Sequence, residues 1–206
     1  MKPLLRYFAL GAVLLATLLS VSACFPLVAG GVVMTGFVAV DRRTSGAMLE
    51  DQAIEVKTSA RIRDTLGERV HVNVTSYNRK VLLTGEVPDA QDKERVAEIA
   101  KSVDNTSSVW NEVGVTAITT LTERTNDLIA AGRIKADLID AKDLFSNAYK
   151  VVVERGNVYV MGRITAREAK RVSSVISGVT GVKKVVLVHE TITEDELANL
   201  QTKPAN

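Results

Sequence analysis

The chain has 206 residues, of which 26 are Lys or Arg and 24 are Asp or Glu. A net charge of only +2 excludes the strongly basic character of a general nucleic-acid-binding protein. A single cysteine excludes an internal disulfide. The sequence contains no phosphate-binding loop and no serine-nucleophile motif. We therefore expect neither an enzyme nor a protein with a cofactor or a small-molecule substrate.

The N-terminus has the three zones of a secretory signal peptide. Lys2 and Arg6 make it positive, an uncharged apolar run covers residues 7–19, and small residues follow up to Cys24. The run is shorter than the roughly 20 residues that a transmembrane helix needs. The sequence therefore predicts a signal peptide over residues 1–23. Without it the chain is neutral, with 24 basic and 24 acidic residues.

The segment Val21-Ser22-Ala23-Cys24 resembles a lipobox, in which the cysteine is lipidated after cleavage. Lipidation at Cys24 would consume a thiol that is otherwise a liability in an oxidising compartment. A plain secreted protein cut after Ala23 and an uncleaved membrane anchor are the alternatives. Phe25 stands where an Asp would signal inner-membrane retention, which favours the outer membrane. We expect a lipid-anchored protein that faces the periplasm, with a Gly/Val-rich tether over residues 24–48.

The rest of the chain repeats one pattern with an offset of 76–77 residues. Each copy contains an amphipathic helix, two alternating strands joined by a polar turn, a second amphipathic helix and a last strand. The first copy has these elements at residues 49–66, 71–87, 96–103 and 109–115, and the second at residues 124–139, 148–164, 172–179 and 182–188. Pro88-Asp89 begins the second helix of copy one, and a capping box from Thr165 to Glu168 begins that of copy two.

The spacing of apolar residues predicts which side of each helix is buried. For the second helices the buried residues are Val96, Ile99, Ala100 and Val103 in copy one, and Val172, Val175, Ile176 and Val179 in copy two. For the first helices they are Ala53, Val56, Ala60, Ile62 and Leu66 in copy one, and Leu128, Ala131, Ile134 and Leu138 in copy two. We expect domains over residues 49–117 and 123–192, a linker over 118–122 and a polar tail over 193–206.

The αββαβ order resembles the BON domain. A glycine closes the second strand of each copy, Gly85 and Gly162, and the run Gly181-Val182-Lys183-Lys184-Val185 precedes the last strand of copy two. Copy one departs from the pattern, with Asn105-Thr106 in place of Gly-Val. Two copies behind a lipobox resemble the dual-BON outer-membrane lipoproteins of Gram-negative bacteria. The resemblance implies an α+β fold in which two helices cover each three-stranded mixed sheet, an envelope-maintenance role and phospholipid binding.

The charge is divided unevenly between the copies. Residues 50–117 carry 9 basic and 12 acidic side chains, a net charge of −3, whereas residues 123–192 carry 12 and 8, a net charge of +4. Several basic residues of copy two fall on its helices, where they suit an anionic membrane surface. The lipid-binding residues that we predict are Ile129, Arg133, Lys135, Arg167, Lys170 and Arg171.

Two further interpretations stay open. The basic face of copy two can be an ordinary solvated surface, or the chain can be a scaffold that binds outer-membrane assembly proteins through the acidic copy one or a strand edge. The two histidines, His71 and His189, fall in different copies, without metal-binding spacing around either. We therefore expect no metal site. Trp110 fits sheet packing better than a ligand platform.

Overall fold

The computed structural model describes residues 41–202, so the signal peptide, Cys24 and most of the tether lie outside the described residues. Copy one consists of α1 (Ser45–Leu66), β1 (His71–Tyr77), β2 (Lys80–Val87), α2 (Ala90–Lys101), β3 (Ser108–Asn111) and β4 (Gly114–Val115). Copy two consists of α3 (Leu121–Asp140), β5 (Tyr149–Glu154), β6 (Asn157–Ile164), α4 (Ala166–Ser177) and β7 (Lys184–Thr191). A last helix, α5 (Glu194–Thr202), lies in the segment that the sequence suggested was a polar tail.

Each copy forms a mixed sheet with its second strand in the middle. β1 and β2 are antiparallel, and β3 and β4 both run parallel to β2. The same order recurs in β5, β6 and β7, with β5 antiparallel and β7 parallel to β6. The predicted α+β class and the tandem αββαβ order are therefore confirmed.

Both hairpins turn through two residues that have positive φ. These are Asn78 and Arg79 in copy one and Arg155 and Gly156 in copy two, an arrangement that matches the right-handed twist of the strands. The first helix of each copy holds the turn. The Asn78 and Arg79 amides donate to the Asp51 carboxylate at 2.7 Å each. The Arg155 and Gly156 amides donate to Asp127 at 2.7 and 2.8 Å.

The glycines that close β2 and β6 are explained by backbone contacts. Gly85 has φ +107°, and a Cβ there would lie 2.1 Å from the His71 carbonyl oxygen. A Cβ on Gly162 would lie 2.8 Å from the Ala148 carbonyl oxygen. Neither position accepts a side chain without moving a neighbouring strand.

Two separate cores lie between the helices and their sheets. In copy one Val81, Leu83 and Val87 of β2 pack against the helices, and in copy two Val158, Val160 and Ile164 of β6 do the same. The buried stripes predicted for α2 and α4 are confirmed except at Val175, which is only partly buried, and their last members, Val103 and Val179, lie just beyond the helix ends. α2 begins at the predicted Asp89 cap, and α4 begins with the predicted capping box of Thr165 and Glu168.

The stripes predicted for the first helices were partly wrong. α1 buries Ile54, Thr58, Ile62 and Leu66, whereas Val56 is 64 % exposed. α3 buries Ala130, Ile134 and Leu138, whereas Leu128 is 73 % exposed. Each helix carries apolar residues on two sides, and only packing against the sheet decides which side is buried.

A third apolar cluster joins the two domains, which lie in one compact unit. It consists of Tyr77, Leu82, Trp110, Val152, Tyr159, Met161, Val186 and Val188, drawn from both sheets. On β2 and β6 its members alternate with those that face the helices, so they project from the other side of the sheet. The helix-free faces of the two sheets therefore pack against each other. The result is four layers, helices, sheet, sheet and helices.

Residues 41–44, which we call the N-terminal strap, contact both domains before α1 begins. The Arg42 guanidinium donates to both carboxylate oxygens of Glu168 at 2.7 and 2.8 Å, and both side chains are 1 % exposed. The Arg43 guanidinium binds Asp51 of copy one at 2.7 Å and lies 4.3 Å from the centre of the Tyr77 ring. The folded region thus begins before residue 49, where the sequence placed its start.

Candidate functional site

Helix α3 carries the predicted residues Ile129, Arg133 and Lys135. The helix begins with a capping box, because the Glu123 amide donates to the Thr120 hydroxyl at 3.2 Å while the Thr120 amide donates to the Glu123 carboxylate at 2.8 Å. The Thr120 amide, together with its hydroxyl, holds the pKa of Glu123 below its ordinary value. This cap fixes where α3 starts.

The side of α3 that faces away from the core exposes several apolar residues, with Thr125, Gly132 and Lys135 between them. Leu121, Leu128 and Ile139 are separated by 7 and 11 residues, which is about two and three helical turns, so they lie in one row. Ile129 lies beside this row. These four residues, 49–82 % exposed, form what we call the outer stripe of α3. Single exposed aliphatic residues are common on soluble surfaces, but four on one side of a helix make that side a candidate contact surface.

A groove of about 410 Å³ lies beside the outer stripe. Ile129 and Arg133 line its α3 side, and Arg155 of the β5–β6 turn and Lys183 before β7 line the opposite side. We call it the basic groove. Its walls also contain the acidic Glu123 and Asp127, but the Asp127 carboxylate accepts the two amides of the hairpin turn. The groove walls therefore carry three cations and two carboxylates, and both carboxylates accept hydrogen bonds from backbone amides.

The structure does not place the remaining predicted residues in this groove. The Lys135 ammonium donates to the Ser146 carbonyl at 3.4 Å. At the start of α4, Arg167 pairs with Glu194 at 3.4 Å and Arg171 pairs with Asp143 at 2.8 Å. Lys170 is exposed on the same helix. Ile129 and Arg133 are thus brought together, whereas Lys135, Arg167, Lys170 and Arg171 are separate from them.

The sequence analysis did not identify five residues of the outer stripe and the basic groove. Leu121, Leu128 and Ile139 had no signal of their own, because the apolar spacing of α3 fits more than one face. Arg155 was noted only as a turn residue and Lys183 only as part of the run before β7. Their approach to Arg133 depends on how the hairpin and the last strand fold onto α3.

Within residues 41–202, none of the helices has the length and apolar character needed to cross a bilayer.

The family model described as "BON domain" matches residues 50–117 and 126–188. The outer membrane lipoprotein DolP of Haemophilus influenzae is 29 % identical over 179 residues, which is 86 % of this chain and 93 % of that protein. A 21 kDa hemolysin of Actinobacillus pleuropneumoniae is 27 % identical over 161 residues, covering 72 % and 78 %. Among solved structures, one of CdsD, a structural protein of the type III secretion system of Chlamydia trachomatis, matches with a TM-score of 0.30 and 13 % sequence identity. The match covers 77 % of this chain and 99 % of that chain.

Proposed function

We propose that this chain, which belongs to the BON domain family, is a lipid-anchored outer-membrane protein that faces the periplasm and functions in the envelope. Its second domain binds anionic phospholipid in this proposal. The contact surface is the outer stripe of α3 together with the basic groove. The observation that carries the proposal is the exposure of four aliphatic side chains on one side of α3, directly beside Arg133. An amphipathic helix with a basic margin suits the interface of an anionic bilayer.

Each contact with the membrane contributes a small free energy, and the contacts together are enough for weak membrane binding. Complete burial of an aliphatic side chain in an apolar phase contributes about 1.5–3 kcal/mol, and each cation near an anionic surface contributes about 1 kcal/mol. Partial insertion of the outer stripe with two or three cations gives a binding energy of several kcal/mol. The domain alone would bind membranes weakly and in a salt-sensitive way.

We propose that lipidation at Cys24 converts this weak contact into a permanent one. The anchor holds the domain near the membrane and so raises its effective concentration. The 18 residues from Cys24 to Arg42 reach at most about 60 Å when fully extended. That distance exceeds the dimensions of a small domain, so the proposed anchor leaves α3 free to turn toward the lipid.

The test uses the chain from residue 24 onward with Cys24→Ala, so that any membrane binding comes from the domains alone. The protein should float with vesicles that contain phosphatidylglycerol and should not float with phosphatidylcholine vesicles. Raising the salt from about 0.1 M to about 1 M, which shortens the Debye length from about 10 Å to about 3 Å, should release it. The double change Ile129→Glu with Arg133→Glu should abolish flotation, since both residues line the groove and neither belongs to the buried stripe of α3.

A matched control is available in copy one. Val56→Glu with Lys57→Glu replaces one exposed aliphatic and one exposed basic residue on α1, with the same change in charge. This control should float like the unchanged protein. The proposal fails if the control and the α3 variant lose binding equally, or if anionic lipid has no effect on the unchanged protein.

A scaffold for outer-membrane assembly proteins is the second candidate. The observation in its favour is a polar groove of about 520 Å³ on copy one, lined by Arg69, Asp89, Glu94, Arg95 and Glu98 among others. Such a groove suits a charged partner rather than a lipid chain. It becomes the preferred interpretation if the flotation experiment shows no dependence on anionic lipid. In both cases we propose that the chain acts by binding rather than by catalysis.

A further inference from the structure

The interface between the two domains contains a group of ionisable side chains that the proposed membrane contact does not use. His71 in β1 and Glu86 in β2 are direct partners across the first hairpin. Glu154 is the last residue of β5 in the other domain. Glu86 alternates along β2 with the residues that face the helices, so it projects toward the second sheet. We call His71, Glu86 and Glu154 the interdomain cluster.

The three side chains are close enough to share one ion. One ligand atom from each lies within 4.8 Å of the other two. His71 Nδ1 is 3.0 Å from Glu86 Oε2. The Glu86 side chain is completely buried and Glu154 is buried, whereas His71 is partly open to solvent, which provides a way in for a small ion.

One oxygen of the buried Glu86 carboxylate has no hydrogen bond. Oε2 accepts from the amide and the hydroxyl of Thr119, at 3.3 and 3.2 Å, in addition to its contact with His71. Oε1 accepts no hydrogen bond within the described part of the chain. The Arg155 guanidinium lies 3.7 Å from it, which is an ion pair but not a hydrogen bond. Buried carboxylate oxygens normally accept a hydrogen bond, so this oxygen keeps the capacity to accept a further polar or cationic partner.

The cluster also lacks positive charge. Two carboxylates face one guanidinium, so the acidic side chains outnumber the permanently charged basic one. Burial raises the pKa of Glu154, a hydrogen bond from the Asn73 side chain opposes that rise, and the charge of Glu86 adds to it. A divalent cation would relieve the repulsion between the two carboxylates.

We propose that His71, Glu86 and Glu154 bind a divalent cation of the zinc class between the two domains. Imidazole nitrogen and carboxylate oxygen are both zinc ligands, with bonds of about 2.0–2.2 Å. Tetrahedral geometry at that bond length requires ligand atoms about 3.4 Å apart. The three ligand atoms already lie within 4.8 Å of one another, so small adjustments would bring them to this spacing, and a water would complete the coordination.

The surroundings of the cluster hold two of its ligands in place. The Asn73 side-chain amide donates to Glu154 at 3.0 Å, and the Thr119 hydroxyl donates to Glu86. Partners of this kind orient metal ligands and raise affinity. Since His71 and Glu86 belong to copy one and Glu154 to copy two, the bound cation would join the two domains and stabilise the folded unit.

The experiment uses the chain from residue 24 with Cys24→Ala, which also removes the only thiol. Titration calorimetry with Zn²⁺ should show one site per chain, and Zn²⁺ should raise Tm. Co²⁺ should give the visible absorption of a four-coordinate site. His71→Gln and Glu154→Gln should each weaken Zn²⁺ binding by more than about tenfold, since losing a ligand costs at least as much as losing a supporting residue.

His189→Gln is the matched control, because it removes the other histidine outside the cluster and should leave Zn²⁺ affinity unchanged. Glu154→Gln keeps the test decisive if His71→Gln does not fold, since it keeps the shape of the side chain and removes a buried charge. The proposal is overturned if the unchanged protein shows no Zn²⁺-dependent rise in Tm, or if Zn²⁺ binding survives in Glu154→Gln.

Discussion

The two domains have the same core but different outer surfaces. In both, the middle strand sends Val, Leu or Ile side chains toward two helices, and an aspartate of the first helix holds the hairpin turn. The last strand differs, since β7 has eight residues whereas copy one divides the same position into β3 and β4 around the buried Val113. The first helices both expose aliphatic residues, but α3 lies in a domain of charge +4 and α1 in a domain of charge −3.

The turn before the last strand shows how far the copies can differ without a change of fold. Gly181 adopts φ +99° there in copy two, and Asn105 adopts φ +66° at the matching place in copy one. Asn is among the residues that enter this left-handed region most readily. The departure of copy one from the glycine pattern therefore preserves the turn. The two copies share the residues that form the core and the turns of each domain. They differ on the outer surfaces.

Separating the domains should have the largest effect on stability. Residues 123–192 contain a complete helix-facing core and should fold alone. They would expose Tyr159, Met161 and Val188 of the third cluster and would lack Arg42. Each exposed apolar side chain costs up to about 1.5–3 kcal/mol, so we expect a cooperative unfolding transition at a much lower urea concentration than in the two-domain protein.

Circular dichroism in urea measures this difference, with the two-domain protein as the reference. A fragment without a cooperative transition would mean that the two copies fold only together. A fragment as stable as the whole would mean that the third cluster contributes nothing.

Arg42→Ala should have the next largest effect, and it tests whether copy two depends on the N-terminal strap. Burial alone would raise the pKa of Glu168, but hydrogen bonds from Arg42 and from the Thr165 amide outweigh it and hold this pKa below its ordinary value. Removing Arg42 leaves a buried carboxylate unpaired, which costs about 3–5 kcal/mol. The loss in the free energy of unfolding is measured by urea denaturation at pH 7.

Arg167→Ala is the control for Arg42→Ala. Arg167 pairs with Glu194 at the surface, with both side chains more than half exposed. Such pairs contribute about 0–1 kcal/mol. Equal losses in the two variants would show that the strap does not stabilise copy two. The double variant Arg42→Ala with Glu168→Gln should recover part of the loss, because it removes the unpaired charge.

The smallest expected effect compares the two turn-holding aspartates. Asp51 is buried and accepts hydrogen bonds from the Ser76 hydroxyl and from Arg43 in addition to the turn amides. Asp127 is half-buried and, within residues 41–202, accepts hydrogen bonds only from the turn amides. Asp51→Ala should cost about 1–3 kcal/mol, the range for buried donors left unsatisfied. Asp127→Ala should cost less, because water can reach its turn. Urea denaturation of both variants decides the order, and a larger loss for Asp127→Ala would contradict it.

Much of the fold could be predicted from local patterns. The hairpins followed from strict alternation, and α2 and α4 followed from a single apolar stripe with a recognisable cap. The surface on α3 was found only in part. Ile129 and Arg133 lie together as their spacing required, but Leu128 was assigned to the core although it belongs to the outer stripe. A helix with apolar residues on two sides does not reveal which side is buried.

By itself the sequence determined the repeat, the strand and second-helix contributions to the two cores and the signal for lipidation, because each depends on residues that are near one another in the chain. The tertiary structure alone decided that the two sheets pack face to face, that Arg42 pairs with Glu168 across 126 residues, and that Glu154 meets His71 and Glu86. These contacts join elements whose own periodicity is already satisfied within each domain. No local pattern of apolar residues specifies them, since they depend on the shapes of two finished sheets.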